Sequence, residues 1–294
     1  MEVFTDTNQN FILLAVMAHP DDESFGIGGT LAFYGHQDVD VHLVCATHGE
    51  AGEADDSYLQ GHSSMYALRE AELRCAAGIL GLSGVHFLGY RDSGMQGSKD
   101  NNHPGALAAT PLSQVTHDIV QIIRQLKPDV VVTFDPIGGY RHPDHIVVHQ
   151  AATRAFFAAG DPDQVVEGFD PHQAQKLYYS TMPRGLLKIG VRILRLIGRD
   201  PSRFGKNQDV DLASIAEITF PKHAVINYRS VSKLRDQASA CHASQGGKQI
   251  TGGIIGWIRR LFLPRETFMR AYPPPDESHI ERDLFEGFVK EGAD

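Results

Sequence analysis

Strand-like apolar runs alternate with helix-like segments through the first 160 residues, and this alternation restricts the possible folds most strongly. Phe11–Ala18 and Asp129–Phe134 are mostly apolar runs with the length of a strand that is buried on both faces. Tyr66–Leu80 has apolar residues at helical spacing and ends at Gly81. The order βαβαβαβα predicts an α/β fold with a doubly wound, mostly parallel, Rossmann-like sheet and helices on both faces.

The second half of the chain is less regular. Lys176–Thr181 predicts a fifth strand, residues 209–220 a further strand, and Lys222–His242 a helix. We therefore expect a Rossmann-like core over residues 1–182. Residues 183–294 are expected to form a C-terminal helical and irregular cap that packs on the same domain.

Two segments of this cap, 183–206 and 252–264, each combine an apolar run with Arg or Lys side chains at its edge. In the first segment, five basic residues are spaced four, four, three and four apart, which forms one stripe on a helix. The segments are interpreted as helices packed over the core with basic side chains reaching solvent. The alternatives are a lid over the substrate, a homo-oligomer interface, and a patch that contacts an anionic membrane surface.

Charge and cysteine content exclude several classes of protein. The net charge of −9 argues against nucleic acid as a ligand, because phosphate binding needs a positive field. Three cysteines that lie far apart argue against a disulfide scaffold and a cysteine-based zinc cluster. The first ten residues contain no basic residue, and the run Phe11–Ala18 is too short to span a bilayer. These features predict a cytoplasmic protein.

Polar residues are concentrated directly after the first and the fourth predicted strands. His19–Glu23 (HPDDE) follows the first strand, and Asp135–His145 (DPIGGYRHPDH) follows the fourth. Ligands of open parallel sheets bind beyond the carboxyl ends of the strands. If these two strands are neighbours, the two loops face each other at that edge.

Such a pair of loops has the residue types of a catalytic zinc site, which takes three ligands from His and Asp or Glu and leaves a position for water. Of the adjacent Asp21 and Asp22, one can bind the metal while the other accepts a proton from water. The alternative is that both aspartates cap the following helix and that His142 and His145 are ordinary polar loop residues. A serine hydrolase is not indicated, since G-x-S-x-G is missing from the sequence.

The motifs AHPDDE, Gly28-Gly29-Thr30 and HPDH together resemble the PIG-L/LmbE family of zinc-dependent N-deacetylases. The resemblance covers about residues 11–160 and, more weakly, 222–245. It implies that the chain removes an acetyl group from an N-acetylglucosamine-type substrate. In this family such substrates include precursors of the thiols mycothiol and bacillithiol.

Residue by residue, the resemblance implies one zinc ion per chain, bound by His19, Asp22 and His145. Asp21 is then the general base. The residue types leave the metal open between Zn²⁺ and Fe²⁺, since both accept two histidines and one aspartate.

The resemblance also implies roles around the reacting carbonyl. His142 stabilises the oxyanion or protonates the leaving amine, Asp144 orients and charge-balances His142, and Tyr140 polarises the carbonyl. The residues expected to contact the substrate are Arg69, Asp92, Glu50 and His242.

Two alternatives to an N-acetylglucosamine deacetylase remain at this point. One is a zinc amidohydrolase that acts on a larger acyl group or a thiol conjugate. The other is a non-catalytic glycan- or lipid-binding module, against which the presence of Asp21 beside a complete set of metal ligands argues. The expected partner is a small amino-sugar substrate.

Overall fold

The computed structural model describes residues 10–182, 184–203, 210–251 and 264–288 of the chain. Within these ranges the strands are β1 (Phe11–Met17), β2 (Val39–Thr47), β3 (Gly84–Tyr90), β4 (Val130–Phe134), β5 (Lys176–Thr181), β6 (Ala224–Asn227) and β7 (Arg265–Tyr272). The α-helices are α1 (Asp22–Gly26), α2 (Gly28–Gly35), α3 (Asp56–Leu59), α4 (Met65–Leu80), α5 (Leu112–Leu126), α6 (Gly138–Arg141), α7 (Pro143–Gly160), α8 (Arg184–Leu196), α9 (Leu212–Glu217), α10 (Ser232–Cys241) and α11 (Gly247–Thr251).

The strands form one sheet in the order β3-β2-β1-β4-β5-β7-β6. β1 pairs in parallel with β2 on one side and with β4 on the other. The predicted mostly parallel, doubly wound sheet is therefore confirmed, and so is the expectation that the first and fourth strands are neighbours. The strand order reverses between β1 and β4, which is where doubly wound sheets bind their ligands.

The core follows from the apolar strands and from helices with defined ends. The last five residues of β1 and all of β4 are buried. Ser64 caps α4 by accepting a hydrogen bond from the Ala67 N–H, and the helix ends at Gly81 with a φ of 76°. α4 packs against α10, and α5 packs against α7, so these two helix pairs cover the sheet.

Residues 183–294 contribute more to the sheet than the sequence predicts. β7 pairs antiparallel with both β5 and β6. The strand expected at 209–220 is wrong, because the described part of that range contains α9, whose first turn Asp211 caps through the Ser214 N–H at 3.0 Å. The helix expected at 222–242 begins only at Ser232, after β6. The boundary at residue 182 stays a prediction.

One disulfide joins Cys75 on α4 to Cys241 at the end of α10, and Cys45 is a buried free thiol. The spacing of the cysteines in the sequence did not predict this bond. It links two cysteines that are 166 residues apart in sequence, on two helices that pack against each other. Among the described residues, no helix is long and apolar enough to cross a membrane.

Candidate active site

The loops after β1 and β4 bring His19, Asp22 and His145 together. His19 Nδ1 lies 3.2 Å from His145 Nε2. The Asp22 carboxylate lies 3.4 Å from His19 Nδ1 and 3.2 Å from His145 Nε2. Bonds of about 2.0–2.1 Å at tetrahedral angles place zinc ligands about 3.4 Å apart. The two distances to Asp22 involve different oxygens, Oδ2 toward His19 and Oδ1 toward His145. The three predicted ligands therefore lie close enough to one another to share one metal ion.

The second nitrogen of His19 is held by carboxylates. His19 Nε2 lies 3.0 Å from Asp144 Oδ2 and 3.4 Å from Asp92 Oδ1. The Asp144 carboxylate also accepts a hydrogen bond from the Ser93 N–H at 2.9 Å. A carboxylate on the far nitrogen fixes the ring orientation of a metal-binding histidine. The structure thus places the Asp144 carboxylate against His19 and the Asp144 N–H against His142, and the role predicted for Asp144 toward His142 stays a prediction.

His142 is the N-cap of α7, and its Nδ1 accepts a hydrogen bond from the Asp144 N–H at 3.2 Å. An accepting Nδ1 places the proton of the neutral ring on Nε2. Burial, with the nearby rings of His19 and His145, lowers the pKa of His142 to about 2. His142 is therefore an uncharged donor of one N–H at neutral pH.

Asp21 has an unusual backbone conformation, with a φ of 126° and a ψ of −28°. A non-glycine residue in this region costs on the order of 1–3 kcal/mol. Three hydrogen bonds hold the backbone in place. The Asp21 N–H donates to Glu23 Oε2 at 2.9 Å, and the Asp21 carbonyl accepts from the N–H groups of Ser24 and Phe25.

Arg69 on α4 contacts the Asp21 side chain. Arg69 Nη2 donates to Asp21 Oδ2 at 3.0 Å, and Arg69 also donates to the carbonyls of Gly49 and Pro20. Burial raises the pKa of Asp21 to about 6, although the Arg69 guanidinium lowers it. A carboxylate with a pKa near neutrality can accept and return a proton.

Behind Asp21 lies a buried pair, of which Glu23 was not assigned a role from the sequence. Glu23 and His242 are both 0% exposed, and His242 Nε2 lies 2.7 Å from Glu23 Oε1. His242 was predicted to bind substrate; the structure places its ring fully enclosed against Glu23 and not among the residues that line the cleft described below, and the predicted role stays a prediction. The sequence feature that could have indicated Glu23 is its position in the HPDDE motif, one residue after the predicted metal ligand Asp22.

Glu72 is a second functional candidate that sequence reasoning missed. Its carboxylate accepts hydrogen bonds from Ser244 N at 2.8 Å and Ser244 Oγ at 2.7 Å. This contact ties α4 to the segment after α10, where Ser244 and Gln245 line the open cleft. No spacing in the sequence indicates that residues this far apart meet.

An open cleft of about 1000 Å³ extends from the ligand cluster to the surface. Of the residues predicted to bind substrate, Glu50, Arg69 and Asp92 line it, together with Tyr140 and His142. Glu50 Oε2 is buried and has no hydrogen-bond partner among the described residues. Such an acceptor can receive a hydrogen bond from a ligand hydroxyl.

Comparisons with known proteins match the part of the chain that contains both loops. The family model described as PIG-L, GlcNAc-PI de-N-acetylase, matches residues 14–156, which include both His-Pro-Asp loops. A 1D-myo-inositol 2-acetamido-2-deoxy-alpha-D-glucopyranoside deacetylase of Geodermatophilus obscurus is 36% identical over 79% of this chain and 82% of its own length. An enzyme of that name from Streptomyces griseus is 35% identical over 94% of this chain and 88% of its own.

Solved structures share the fold at lower identity. A conserved protein of Thermus thermophilus covers 90% of this chain and 95% of its own, with 23% identity and a TM-score of 0.58. The 4-carboxy-2-hydroxymuconate hydratase of Pseudomonas putida covers 90% of this chain and 98% of its own, with 18% identity and a TM-score of 0.58. Because one fold carries such different names, the chemistry has to be argued from the site.

Proposed function

The chain belongs to the PIG-L family of deacetylases, and we propose that it hydrolyses the N-acetyl group of a small N-acetylglucosamine glycoside. Relatives that share 36% and 35% of their residues with it carry the name of a GlcNAc-inositol deacetylase. The observation that carries the proposal is the cluster of His19, Asp22 and His145 with Asp21 directly beside it. A glycoside of inositol is the first substrate to test.

His19, Asp22 and His145 are the proposed ligands of one zinc ion. Their mutual spacing of 3.2–3.4 Å and their two histidine nitrogens and one carboxylate suit this ion. When bound, the ion would polarise the acetyl carbonyl and lower the pKa of a water molecule. The donor set also suits Fe²⁺, so metal analysis has to decide between the two.

Asp21 is the proposed general base. As a water oxygen adds to the acetyl carbon, the Asp21 carboxylate accepts the proton that this water loses. When the C–N bond breaks, Asp21 returns the proton to the nitrogen, so that the products are acetate and the free amine. A pKa near 6 suits both steps, because the group can hold and release a proton near neutral pH.

His142 and Tyr140 are the proposed hydrogen-bond donors to the developing oxyanion. The Nε2–H of neutral His142 is the donor that its capping contact leaves available. Tyr140 lines the cleft, and its ring centroid lies 4.9 Å from that of His145. Burial raises the pKa of the Tyr140 hydroxyl, so this group stays protonated and can donate.

The substrate-binding residues are proposed to be Glu50 and Asp92, with Arg69 acting mainly on Asp21. Glu50 and Asp92 both line the cleft, so their carboxylates can accept hydrogen bonds from sugar hydroxyls. Asp92 Oδ1 also lies 3.4 Å from Nε2 of His19, so a sugar hydroxyl bound by Asp92 would lie close to a proposed metal ligand.

A deacetylation screen tests the activity. Amine release is measured with free, inositol-linked, malate-linked and lipid-linked N-acetylglucosamine, each with and without a chelator. We expect chelator-sensitive release that returns when Zn²⁺ is added back. If none of the glycosides yields an amine from the metal-loaded protein, the proposed function is wrong.

The exposed face of α8 supports a further proposal, that this helix contacts an anionic membrane surface. Ile189, Ile193 and Leu196 are 53%, 52% and 85% exposed and recur at helical spacing. Arg192 and Arg195 are exposed on the adjacent face, although the chain as a whole has a net charge of −9. The second apolar segment, 252–264, lies outside the described residues except for its last position.

Co-sedimentation with vesicles of phosphatidylglycerol and phosphatidylcholine at low salt tests this contact. We expect binding that Arg195→Glu weakens, while the charge-matched change Lys233→Glu on α10 leaves it unaltered. Equal binding of both variants, or no binding by the wild type, contradicts the membrane proposal. Light scattering on the unbound protein then shows whether the helix pairs two copies of the chain instead.

A further inference from the structure

A second cavity of about 310 Å³ adjoins the ligand cluster, since Asp22 and His145 line it. Its apolar lining comes from Met17, Phe25, Ile27, Phe134 and Met182. Its inner end is formed by Asp21, Asp22, Tyr140 and His145, and its outer end by the exposed residues Gly26, Met182 and Arg265. The cavity therefore runs from the reacting centre to the surface.

Two buried carboxylates in the wall of this cavity, those of Asp135 and Glu266, are bonded within the protein. The Glu266 carboxylate accepts from the N–H groups of Gly29 and Thr30 at 2.9 and 2.7 Å. The Asp135 carboxylate accepts from the Gly139 N–H at 2.8 Å and pairs with Arg184 at 3.5 Å. Because these groups are already satisfied, the cavity favours an apolar occupant.

Asp21 and Tyr140 line both the cleft and the second cavity, so the two spaces meet at these side chains. An amide bond placed there has its nitrogen and sugar on the polar side, in the cleft. The carbon chain of the acyl group then points to the apolar side. An acetyl group has only one methyl to put into a space of about 310 Å³.

We infer that this cavity is an acyl-chain site, and that the enzyme hydrolyses N-acyl amino sugars whose straight acyl chains are longer than acetyl. This inference rests on the proposed function, since it takes the amide carbonyl to lie beside Asp21. The reaction itself is unchanged: water adds, the C–N bond breaks, and the products are the amine and a short fatty acid.

The test compares kcat/KM for N-acetyl, N-butyryl and N-hexanoyl forms of glucosaminyl-inositol, with amine release as the measurement. Burial of two additional methylenes predicts a butyryl value at or above the acetyl value, with a gain of up to about tenfold. Values that fall with every added methylene overturn the inference.

Gly26→Phe fills the outer part of the cavity. A side chain at Gly26 meets no atom within 4 Å of its Cβ, so it can be built without a clash. We expect the ratio of butyryl to acetyl kcat/KM to fall at least tenfold. Gly78→Phe is the matched control, because Gly78 is exposed on α4, also has an open Cβ position and lines neither cavity. A butyryl-to-acetyl ratio that Gly26→Phe leaves unchanged contradicts the inference.

The outcomes separate this inference from the proposed function. Acetyl release with strongly reduced butyryl release rejects the acyl-chain site and keeps the deacetylase. Release of the butyryl group at or above the acetyl rate supports the acyl-chain site as well as the proposed function. If the wild-type protein releases amine from none of the acyl forms, both the acyl-chain site and the proposed deacetylase function are rejected. This measurement uses no variant, so it does not depend on how a variant folds.

Discussion

At the scale of single residues, two adjacent aspartates contact different partners at the proposed metal site. Asp21 contacts Arg69, whereas Asp22 contacts His19 and His145. Both carboxylates therefore lie at the proposed metal site but bind different partners. Asp22 is a proposed metal ligand, and Asp21, which has the φ of 126°, is the proposed base.

We expect Asp21→Asn to keep its metal but to lose a factor of about 10²–10⁴ in kcat, the usual contribution of a general base. His19→Ala removes one of the three ligands, so metal content falls together with activity. The two variants are compared by metal analysis and by amine release. Near wild-type turnover in Asp21→Asn would reject the assigned base.

The Glu23–His242 pair makes a prediction about stability and pH. Burial lowers the pKa of His242, but the Glu23 carboxylate overcomes this effect and raises it above its ordinary value. Glu23, the carboxylate partner of His242, has a lowered pKa in turn, so the pair stabilises the fold fully between about pH 4.5 and pH 6.5. This stabilisation is lost as the pH rises through the folded-state pKa of His242, or falls through that of Glu23.

His242→Asn should accordingly lower the free energy of unfolding by about 3 kcal/mol at pH 6, since a buried partner charge is left behind. The loss should shrink at pH 9. Urea unfolding of both proteins at the two pH values measures it. If His242→Asn loses more unfolding free energy at pH 9 than at pH 6, the pH dependence has the opposite sign and contradicts the assigned pairing.

At the scale of elements, the proposed catalytic and metal-binding residues lie just after strand ends and in the first turn of α7. His142, Asp144 and His145 all lie within four residues of the start of this helix. The sequence could predict this placement because a buried apolar strand leaves its polar neighbours only at its tip. It could not predict that Asp144 orients His19, since that contact joins residues 125 apart in the chain.

The disulfide between α4 and α10 is expected to stabilise the fold by about 3 kcal/mol, because it closes a long loop in the unfolded chain. The double change Cys75→Ala and Cys241→Ala removes it. Denaturant unfolding measures the loss, and Cys45→Ala controls for removal of a thiol. Equal stability with and without the bond would show that it contributes nothing to folding.

At the scale of the whole molecule, the proposed metal ligands come from the loops after β1 and β4 and so connect the two halves of the sheet. Removal of the metal should therefore lower the melting temperature as well as the activity. A ligand at 100 times its Kd contributes about 2.7 kcal/mol to stability. Calorimetry with chelator, followed by addition of Zn²⁺ or Fe²⁺, measures the loss and its recovery. An unchanged Tm on chelation would speak against a metal bound by these three residues.

The parallel part of the sheet could be predicted from sequence, and its antiparallel end could not. β1 and β4 have continuous apolar patterns because helices cover both of their faces. β7 has the sequence Arg265–Tyr272 (RETFMRAY), in which charged residues interrupt the apolar ones. Its place depends on pairing with β5 and β6, which local patterning does not report.

The position of β7 between β5 and β6 decides how the chain can be shortened. A fragment that ends at residue 182 would keep the ligand loops but would expose the whole hydrogen-bonding edge of β5, which β7 covers in the intact protein. Unprotected edges of this kind pair with other molecules. Such a minimal fragment should aggregate on expression, and a shortened version needs residues 264–288 joined back onto it.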